Sequence, residues 1–289
     1  MRYAILAAFL FSTLPAPAQE VWKWQASARV EASGLKSVSE SGRDLGGLGL
    51  WSMEQSLRRR VRASDRVFVL LGASFENIGL SRPASAPLPE RLQGVAARLG
   101  AEWLIDGKSW MFVDAAPGLY GDERLSGRDA NVPIAVQYNR LMRPGLRVLG
   151  GISVDPFRKA KVLPFGGAAW RLTPRWNLRL LLPEPRVEYR ALWDNRQTVD
   201  TFVGFSLVGG HYRVAEDLGT RRGRPEVNGQ TLAYSATRIL GGARWMRGDF
   251  EAELTAGWAP ARTFRYEPSG VELKSNGAPF AGLSLSARL

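Results

Sequence analysis

The last twelve residues of the chain, Ala278 to Leu289, alternate between two kinds of side chain. Apolar residues occupy the odd positions from Ala281 to Leu289, and the even positions between them are small or polar. Because successive side chains of a β-strand point to opposite faces, this period of two predicts a strand with one apolar face. A strand of this kind at the C-terminus is typical of a transmembrane β-barrel, in which it closes the sheet against the first strand.

The same period of two recurs along the chain and predicts 14 strands. They are Val21 to Gly34, Leu50 to Arg62, Arg66 to Leu80, Leu92 to Ile105, Ser109 to Tyr120, Asn131 to Met142, Leu146 to Asp155, Val162 to Leu172, Trp176 to Leu182, Val187 to Trp193, Val199 to Gly210, Gln230 to Met246, Asp249 to Arg265 and Ala278 to Leu289. Reading straight through the proline break at Pro183 to Pro185, with one fewer hairpin, gives 12 strands instead. Leu92 to Ile105 also fits a helical period, but its glycines and the following Asp106-Gly107-Lys108 turn favour a strand.

The connections between these strands alternate in length. The short turns are Ser64-Asp65, Asp106 to Lys108, Arg143 to Gly145, Thr173 to Arg175 and Arg247-Gly248, and the long loops lie near residues 40, 85, 125, 158, 220 and 272. A loop is expected up to Gly47, and the longest loop is expected from His211 to Gly229. We therefore predict an all-β fold, a single antiparallel up-and-down transmembrane barrel with short periplasmic turns and longer extracellular loops.

The N-terminus has the features of a secretory signal peptide. Arg2 precedes an apolar stretch from Tyr3 to Leu14, and Ala16-Pro17-Ala18 forms a small-x-small cleavage pattern. The apolar stretch is too short for a transmembrane helix, which needs about 20 residues. We predict a signal peptide over 1–18, a barrel domain over 19–289, and export to the outer membrane of a Gram-negative bacterium.

The composition narrows the chemistry. There is no cysteine and only one histidine, His211, so we expect no disulfide, no metal site, no cofactor and no catalytic residues. A lipid hydrolase that uses His211 is a remote alternative, because Ser206 lies five residues away on the opposite face of its strand. The formal charge is +12, or +11 without Arg2, which suggests anionic lipids or solutes as partners of an exported protein. The basic run Arg58 to Arg62 is divided between two strand faces, so nucleic acid is not expected to bind.

If the apolar faces contact lipid, the opposite faces line the lumen. The lumen-lining candidates are Arg58, Arg60, Arg98, Glu102, Arg147, Arg179, Arg186, Glu188, Arg190, Arg238, Arg244, Glu251 and Glu253. With Glu54, Asp155, Arg171 and Asp200, which share the same faces, arginines outnumber carboxylates ten to seven. A surplus of guanidinium groups would favour anions. The competing interpretation, which we favour, is that these charges pair across strands and hold the barrel open or plugged.

The tryptophans lie mostly near predicted strand ends. We interpret them as an interfacial girdle, although tryptophan also packs in any β-sheet core. They are Trp22, Trp24, Trp51, Trp103, Trp110, Trp170, Trp176, Trp193, Trp245 and Trp258.

Several local patterns resemble a family of uncharacterised bacterial outer-membrane β-barrel proteins that is grouped as a domain of unknown function. They are the strand from Trp176 to Pro183 with the following Tyr189 strand, the Gly209 to Arg213 segment, and the Gly241 to Phe250 hairpin. The resemblance implies a barrel fold and carries no assigned activity. Outer-membrane barrels commonly end in an aromatic residue that the insertion machinery reads, and Leu289 departs from that habit.

Three functions follow as hypotheses from these observations. The first is a passive pore for small, anionic solutes, and the second is a structural or lipid-interacting barrel with a plugged lumen. The hydrolase is the third. The expected partners are outer-membrane lipid, lipopolysaccharide and the barrel-insertion machinery, and the oligomeric state is left open.

Overall fold

The computed structural model describes residues 24–289. The predicted signal peptide and the first residues of the first predicted strand lie outside the described residues. The strand segments are β1 Trp24–Glu40, β2 Arg43–Arg62, β3 Val67–Ser81, β4 Arg91–Leu104, β5 Ser109–Ala115, β6 Gly118–Gly121, β7 Ala130–Asn131, β8 Ile134–Arg143, β9 Leu146–Val154, β10 Val162–Arg171, β11 Trp176–Leu181, β12 Arg186–Trp193, β13 Thr198–Arg213, β14 Thr231–Arg247, β15 Phe250–Glu267, β16 Glu272–Ser275 and β17 Ala278–Arg288. A short α-helix, Leu218–Arg221, and two 3-10 turns, Gly127–Asp129 and Pro225–Val227, lie in the loops. No helix within the described range is long and apolar enough to cross a membrane.

Fourteen of the segments form a closed antiparallel ring, which we call the wide ring. It consists of β1, β2, β3, β4, β5, β8, β9, β10, β11, β12, β13, β14, β15 and β17. The predicted closing strand pairs with β1 from Gln25 opposite Arg288 to Ser33 opposite Phe280. The backbone N–H groups of Trp24 and Leu289 donate to each other's carbonyl oxygens at 2.9 and 2.8 Å. The predicted closure and the count of 14 strands are confirmed.

The outer surface of the wide ring is apolar. Leu254, Val203 and Ile239 are 62%, 65% and 60% exposed, although each lies in a regular part of its strand. The residues next to them in sequence, including Arg238 and Glu253, are buried or half-buried inside the ring. Soluble proteins bury apolar residues and expose charged ones. The opposite distribution, with an apolar outer surface and a charged interior, is characteristic of a transmembrane barrel. We call this outer surface the apolar belt.

A second, smaller ring lies on the long-loop side, and we call it the narrow ring. It consists of the loop-side ends of β13, β14, β15, β1, β2, β3 and β4, together with β16 and β6. It closes where Arg213 at the end of β13 pairs in parallel with Gly121 at the end of β6. The Ala215 N–H group donates to Asp122 Oδ2 at 2.8 Å just beyond this contact. The chain therefore forms a wide barrel that narrows toward its long loops.

The narrow ring is filled with apolar side chains. Inward residues from its strands pack against residues of the two loops that fold over it, 82–90 and 214–230. The cluster consists of Val38, Leu48, Leu50, Leu80, Ala86, Leu88, Leu92, Tyr212, Val214, Leu218, Val227, Leu232, Tyr234, Ala236, Phe264, Tyr266 and Leu273. Burial of large apolar side chains of this kind contributes about 1.5–3 kcal/mol each, so the core is strongly stabilised. Because its side chains fill the narrow ring, the core closes the barrel axis at the long-loop end.

Three of the predicted connections are wrong in detail. The expected loop up to Gly47 is a continuation of β1 and β2, joined by a tight turn at Ser41 and Gly42, whose φ angles are 49° and 84°. The alternation is obscured there because the segment is rich in glycine and serine. The expected loop from His211 begins only after Arg213, and the expected loop near residue 272 contains β16. In each case backbone pairing in the narrow ring extends the strands beyond the apolar belt.

The break at Pro183 to Pro185 separates two strands as predicted. β11 ends at Leu181 and β12 begins at Arg186. Proline lacks the N–H group that a strand ladder requires, so neither strand continues through it. The segment from Leu92 to Ile105, which also fits a helical period, forms the strand β4.

Candidate functional site

All thirteen predicted lumen residues lie on the inward faces of their strands, and each is buried or half-buried. Whether a solute passes them stays a prediction. The period of two places them there, because inward and outward positions alternate in every strand. Their environment, however, depends on neighbours that are distant in sequence.

The largest cluster lies on the β11 to β15 side of the wide ring. Glu188 Oε1 is 2.7 Å from Arg186 Nε, 2.9 Å from Arg179 Nη1 and 3.3 Å from Arg244 Nη2. Glu253 Oε2 lies 3.2 Å from Arg186 and 3.0 Å from Arg244. Each guanidinium group therefore has a carboxylate partner, which compensates the cost of removing it from bulk water.

Two further carboxylates complete this cluster. Glu184 lies 3.0 Å from Arg186, and Glu251 lies 3.3 Å from Arg244. Counted with Glu188 and Glu253, four acids face three arginines on this side. The formal charges of these seven ion-paired groups sum to −1.

On the opposite side of the ring, two arginines share a carboxylate. Asp114 in β5 accepts a hydrogen bond from Arg98 Nη2 at 2.7 Å and lies 3.9 Å from Arg58 Nη1. One carboxylate thus serves two arginines. Arg60 pairs with Glu102 at 2.8 Å, on the same side.

The remaining candidates have separate partners. Arg190 contacts Asp200 at 2.9 Å, and Arg238 Nη1 donates to Glu31 Oε2 at 2.6 Å. The Arg147 guanidinium lies 5.8 Å from the centre of the Trp110 ring.

Several interior residues were not among the predicted candidates. Arg29 and Glu31 lie on the polar face of the first predicted strand, so the alternation could have identified them. Asp114 lies in a strand with weak alternation, and Glu184 lies in the proline break. No sequence signal marks Asp114 as the partner of Arg98, since the pairing depends on the register between β4 and β5.

A cavity of about 130 Å³ lies between these clusters, with room for on the order of ten water molecules. It extends from Gln25 and Arg288 at the turn end to Glu76 and Tyr120. Seven arginines and five glutamates line it. The cavity is therefore polar and carries a small excess of basic residues.

The wall of the wide ring is interrupted on one side. Leu181 at the end of β11 pairs with Gly167, so residues 162–166 of β10 pair only with β9 among the described residues. On the other side, Phe205 and Leu207 of β13 donate to the carbonyl groups of Pro185 and Pro183. Beyond Leu207, residues 208–212 of β13 pair only with β14 in the described part of the chain. An opening in the barrel wall is therefore left between residues 162–166 of β10 and residues 208–212 of β13, and we call it the notch.

The β9–β10 loop, residues 156–161, lies over this notch. Asp155 at its base accepts hydrogen bonds from Asn131 Nδ2 at 2.7 Å and from the Phe157 N–H group at 3.0 Å. The Phe157 ring packs against an interior cluster of Ala96, Ala116 and Tyr120. Because Tyr120 also lines the cavity, Phe157 stands between the cavity and the notch.

His211 lies at the far edge of the same notch. Its Nδ1 atom is 3.6 Å from Asp155 Oδ2, and the side chain is buried. Ser206 points to the opposite face of β13, about 16 Å along the strand at 3.3 Å per residue. The two side chains therefore do not form the hydrogen-bonded pair that a serine hydrolase needs. No group of three or more metal-ligating side chains is assembled within residues 24–289.

A scan of protein-family models finds no match for the chain, and a search of curated proteins finds no similar sequence. Among solved structures, the chain is similar to an outer-membrane channel from Pseudomonas putida F1, with 12% identity, a TM-score of 0.49, and coverage of 96% of this chain and 99% of that one. It is also similar to the toluene transporter TodX from Pseudomonas putida, with 11% identity, a TM-score of 0.45, and coverage of 94% and 90%. These identities are too low to carry a residue role to this chain.

Proposed function

We propose that the protein is an outer-membrane channel for small polar solutes with a preference for anions. The observation that supports it is the charged cavity, enclosed by 14 strands whose outer surface is apolar. A cavity lined by so many ionised groups is stable only when water fills it. A water-filled cavity across an apolar belt is the central part of a solute path.

The path that we propose is not straight. It begins at the turn end, where Gln25 and Arg288 line the cavity, and continues toward Tyr120. The apolar core of the narrow ring blocks the axis beyond that level. The notch between β10 and β13 offers the second opening, and the β9–β10 loop covers it. We infer that movement of this loop opens the path.

The preference for anions is assigned to Arg58 and Arg98. They share Asp114 and belong to the seven arginines that line the cavity, which outnumber its five glutamates. On the opposite side, the ion-paired cluster has one more carboxylate than it has guanidinium groups. Its central carboxylates, Glu188 and Glu253, are surrounded by three arginines. The surplus of positive charge in the cavity lining is small, so we expect weak selectivity for anions rather than exclusion of cations.

A barrel without transport is the second candidate. The filled narrow ring and the loop over the notch favour it, because together they close both routes on the long-loop side. The two candidates differ in one property. Only the first predicts that releasing the loop creates a conducting path.

Planar-bilayer recordings of refolded protein test the proposal. In the loop variant, Pro156 to Ala160 is replaced by Asn-Gly, a two-residue turn that retains the hydrogen bond from the Asp155 N–H group to Lys161. We expect a severalfold larger conductance than in the unmodified protein, because Phe157 no longer covers the cavity. The matched control replaces Pro268 to Gly270 by Asn-Gly, in a turn of the narrow ring away from the notch, and leaves conductance unchanged. If neither the unmodified protein nor the loop variant conducts, the closed barrel is the correct function.

A further inference from the structure

The turn end of the barrel carries an excess of exposed basic side chains. Ten Lys and Arg residues lie in or beside the turns and are exposed: Arg59, Arg62, Arg66, Lys108, Arg140, Arg143, Arg171, Arg175, Arg196 and Arg247. The exposed acids at this end are Asp65, Asp106, Asp194 and Asp249. The difference is six positive charges on one rim of the barrel. The solute path does not account for them, since they lie outside the cavity.

The aspartates at this rim are largely engaged by the backbone. Asp106 accepts a hydrogen bond from the Lys108 N–H group at 2.7 Å, and Asp194 accepts from the Arg196 and Gln197 N–H groups at 2.7 and 2.8 Å. These N–H groups lower the pKa of both carboxyl groups. Asp65 pairs with Arg62 at 2.7 Å. The acids thus shape the turns and neutralise few of the arginines.

Some exposed basic residues of the long-loop end have acidic partners. Arg128 contacts Glu216, Arg221 contacts Asp217 at 3.1 Å, and Lys274 contacts Glu272 at 2.9 Å. Other basic residues are exposed at this end as well, including Arg43, Arg124 and Lys159. Both ends of the barrel are therefore basic, and charge by itself does not distinguish the turn end.

Three of the turn-end arginines stand beside outward aromatic rings. The Arg59 guanidinium is 5.6 Å from the centre of the Trp24 ring, and that of Arg143 is 5.3 Å from the Trp170 ring. Arg175 Nη1 donates to the Tyr189 hydroxyl at 3.3 Å.

The position of these rings at the edge of the apolar belt is where lipid headgroups are expected. Trp24 and Trp170 are 39% and 38% exposed at the edge of the apolar belt, where indole rings settle at the membrane interface. Tyr189 packs against Trp176, with ring centres 4.9 Å apart. A guanidinium held beside such a ring is placed where phosphate groups lie.

We propose that this rim binds anionic phospholipid headgroups through Arg59, Arg143 and Arg175. The guanidinium fork matches the oxygens of a phosphodiester, and the neighbouring ring contacts the glycerol and upper acyl region. The three sites are distributed around the barrel on β2, at the end of β8 and before β11. The inference is separate from solute passage, and a barrel with no conductance would retain it.

Tryptophan quenching by brominated lipids tests the proposal. The full chain is refolded into phosphatidylcholine vesicles that contain either brominated phosphatidylglycerol or brominated phosphatidylcholine, and the two quenching curves give the ratio of binding constants. We expect phosphatidylglycerol to bind about fivefold more strongly at low salt. In the triple variant Arg59→Gln, Arg143→Gln, Arg175→Gln, the ratio falls to about one.

A second triple variant is the matched control. Arg128→Gln, Arg221→Gln, Lys274→Gln removes the same charge from ion-paired residues at the other end and should leave the ratio unchanged. Equal ratios for the two lipids in the unmodified protein would overturn the proposal, as would a control variant that loses the preference equally. Inorganic phosphate at constant ionic strength should not compete, and competition would identify a site for free phosphate instead of lipid. Gel mobility without boiling verifies that each variant is folded.

Discussion

Adjacent arginines in β2 have opposite environments. Arg58 faces the cavity and shares Asp114 with Arg98, whereas Arg59 faces outward beside Trp24. One step along a strand reverses the face, so identical side chains serve different purposes. This contrast provides an internal control for any statement about interior charge.

Selectivity should respond to Arg58 and not to Arg59. We expect Arg58→Gln to shift the reversal potential in a salt gradient toward cations, because Asp114 then balances Arg98 alone. Arg59→Gln removes the same charge from the outer surface and should leave the reversal potential in place. Bilayer recordings of both variants in asymmetric KCl provide the measurement, and equal shifts would show that the selectivity does not arise in the cavity.

At the residue scale, the interior faces were predictable and the ion pairs were not. All thirteen candidates follow from the alternation of their own strands. The sharing of Asp114 by two arginines depends on the register of β5 against β4, and on the Arg58 side chain of β2 extending past β3 and β4. The sequence therefore identifies the charged faces but not which charges pair with one another.

At the scale of elements, two prolines determine the shape of the wall. Pro183 and Pro185 end β11 and β12 early, so β10 and β13 separate above them. The space is covered by the β9–β10 loop, which Asp155 connects to Asn131 on β7. The proline break was visible in the sequence, but the notch results from the greater length of β13, which belongs to the narrow ring.

The loops over the narrow ring should contribute strongly to stability. Leu218, 1% exposed, is part of the apolar core. We expect Leu218→Ala to lower the free energy of unfolding by about 2–5 kcal/mol, because it leaves a cavity. Leu35→Ala is the matched control, since Leu35 is 67% exposed, and should change stability by less than about 0.5 kcal/mol. Urea unfolding in detergent, followed by tryptophan fluorescence, measures both, and equal values would mean that the loops do not form a packed core.

At the scale of the whole molecule, one sheet forms two rings of different width and opposite interior chemistry. The wide ring encloses a charged cavity within an apolar outer surface, and the narrow ring holds an apolar core. Strands of 15 to 20 residues, such as β2 and β3, take part in both rings. A transmembrane strand needs only about 9–11 residues, so the additional length builds the narrow ring.

A closed ring should resist denaturation by detergent at room temperature. We expect the unboiled protein to migrate faster in a denaturing gel than the boiled protein, because every strand of the closed ring pairs with two neighbours and none is free to separate first. Leu283→Pro in β17, which is paired with both β1 and β15, should abolish the fast-migrating form. Identical mobility of the unmodified protein with and without boiling would contradict closure.

The strand count, the closing strand and the chemistry of the two faces follow from the sequence by itself. The reason is that the period of two is a local property of extended backbone, and each strand carries it independently. The narrow ring, its core, the notch and the ion pairs were decided only by the tertiary structure. They depend on contacts such as that between Asp122 and Ala215, which are 93 positions apart, and no local pattern specifies which distant strands meet.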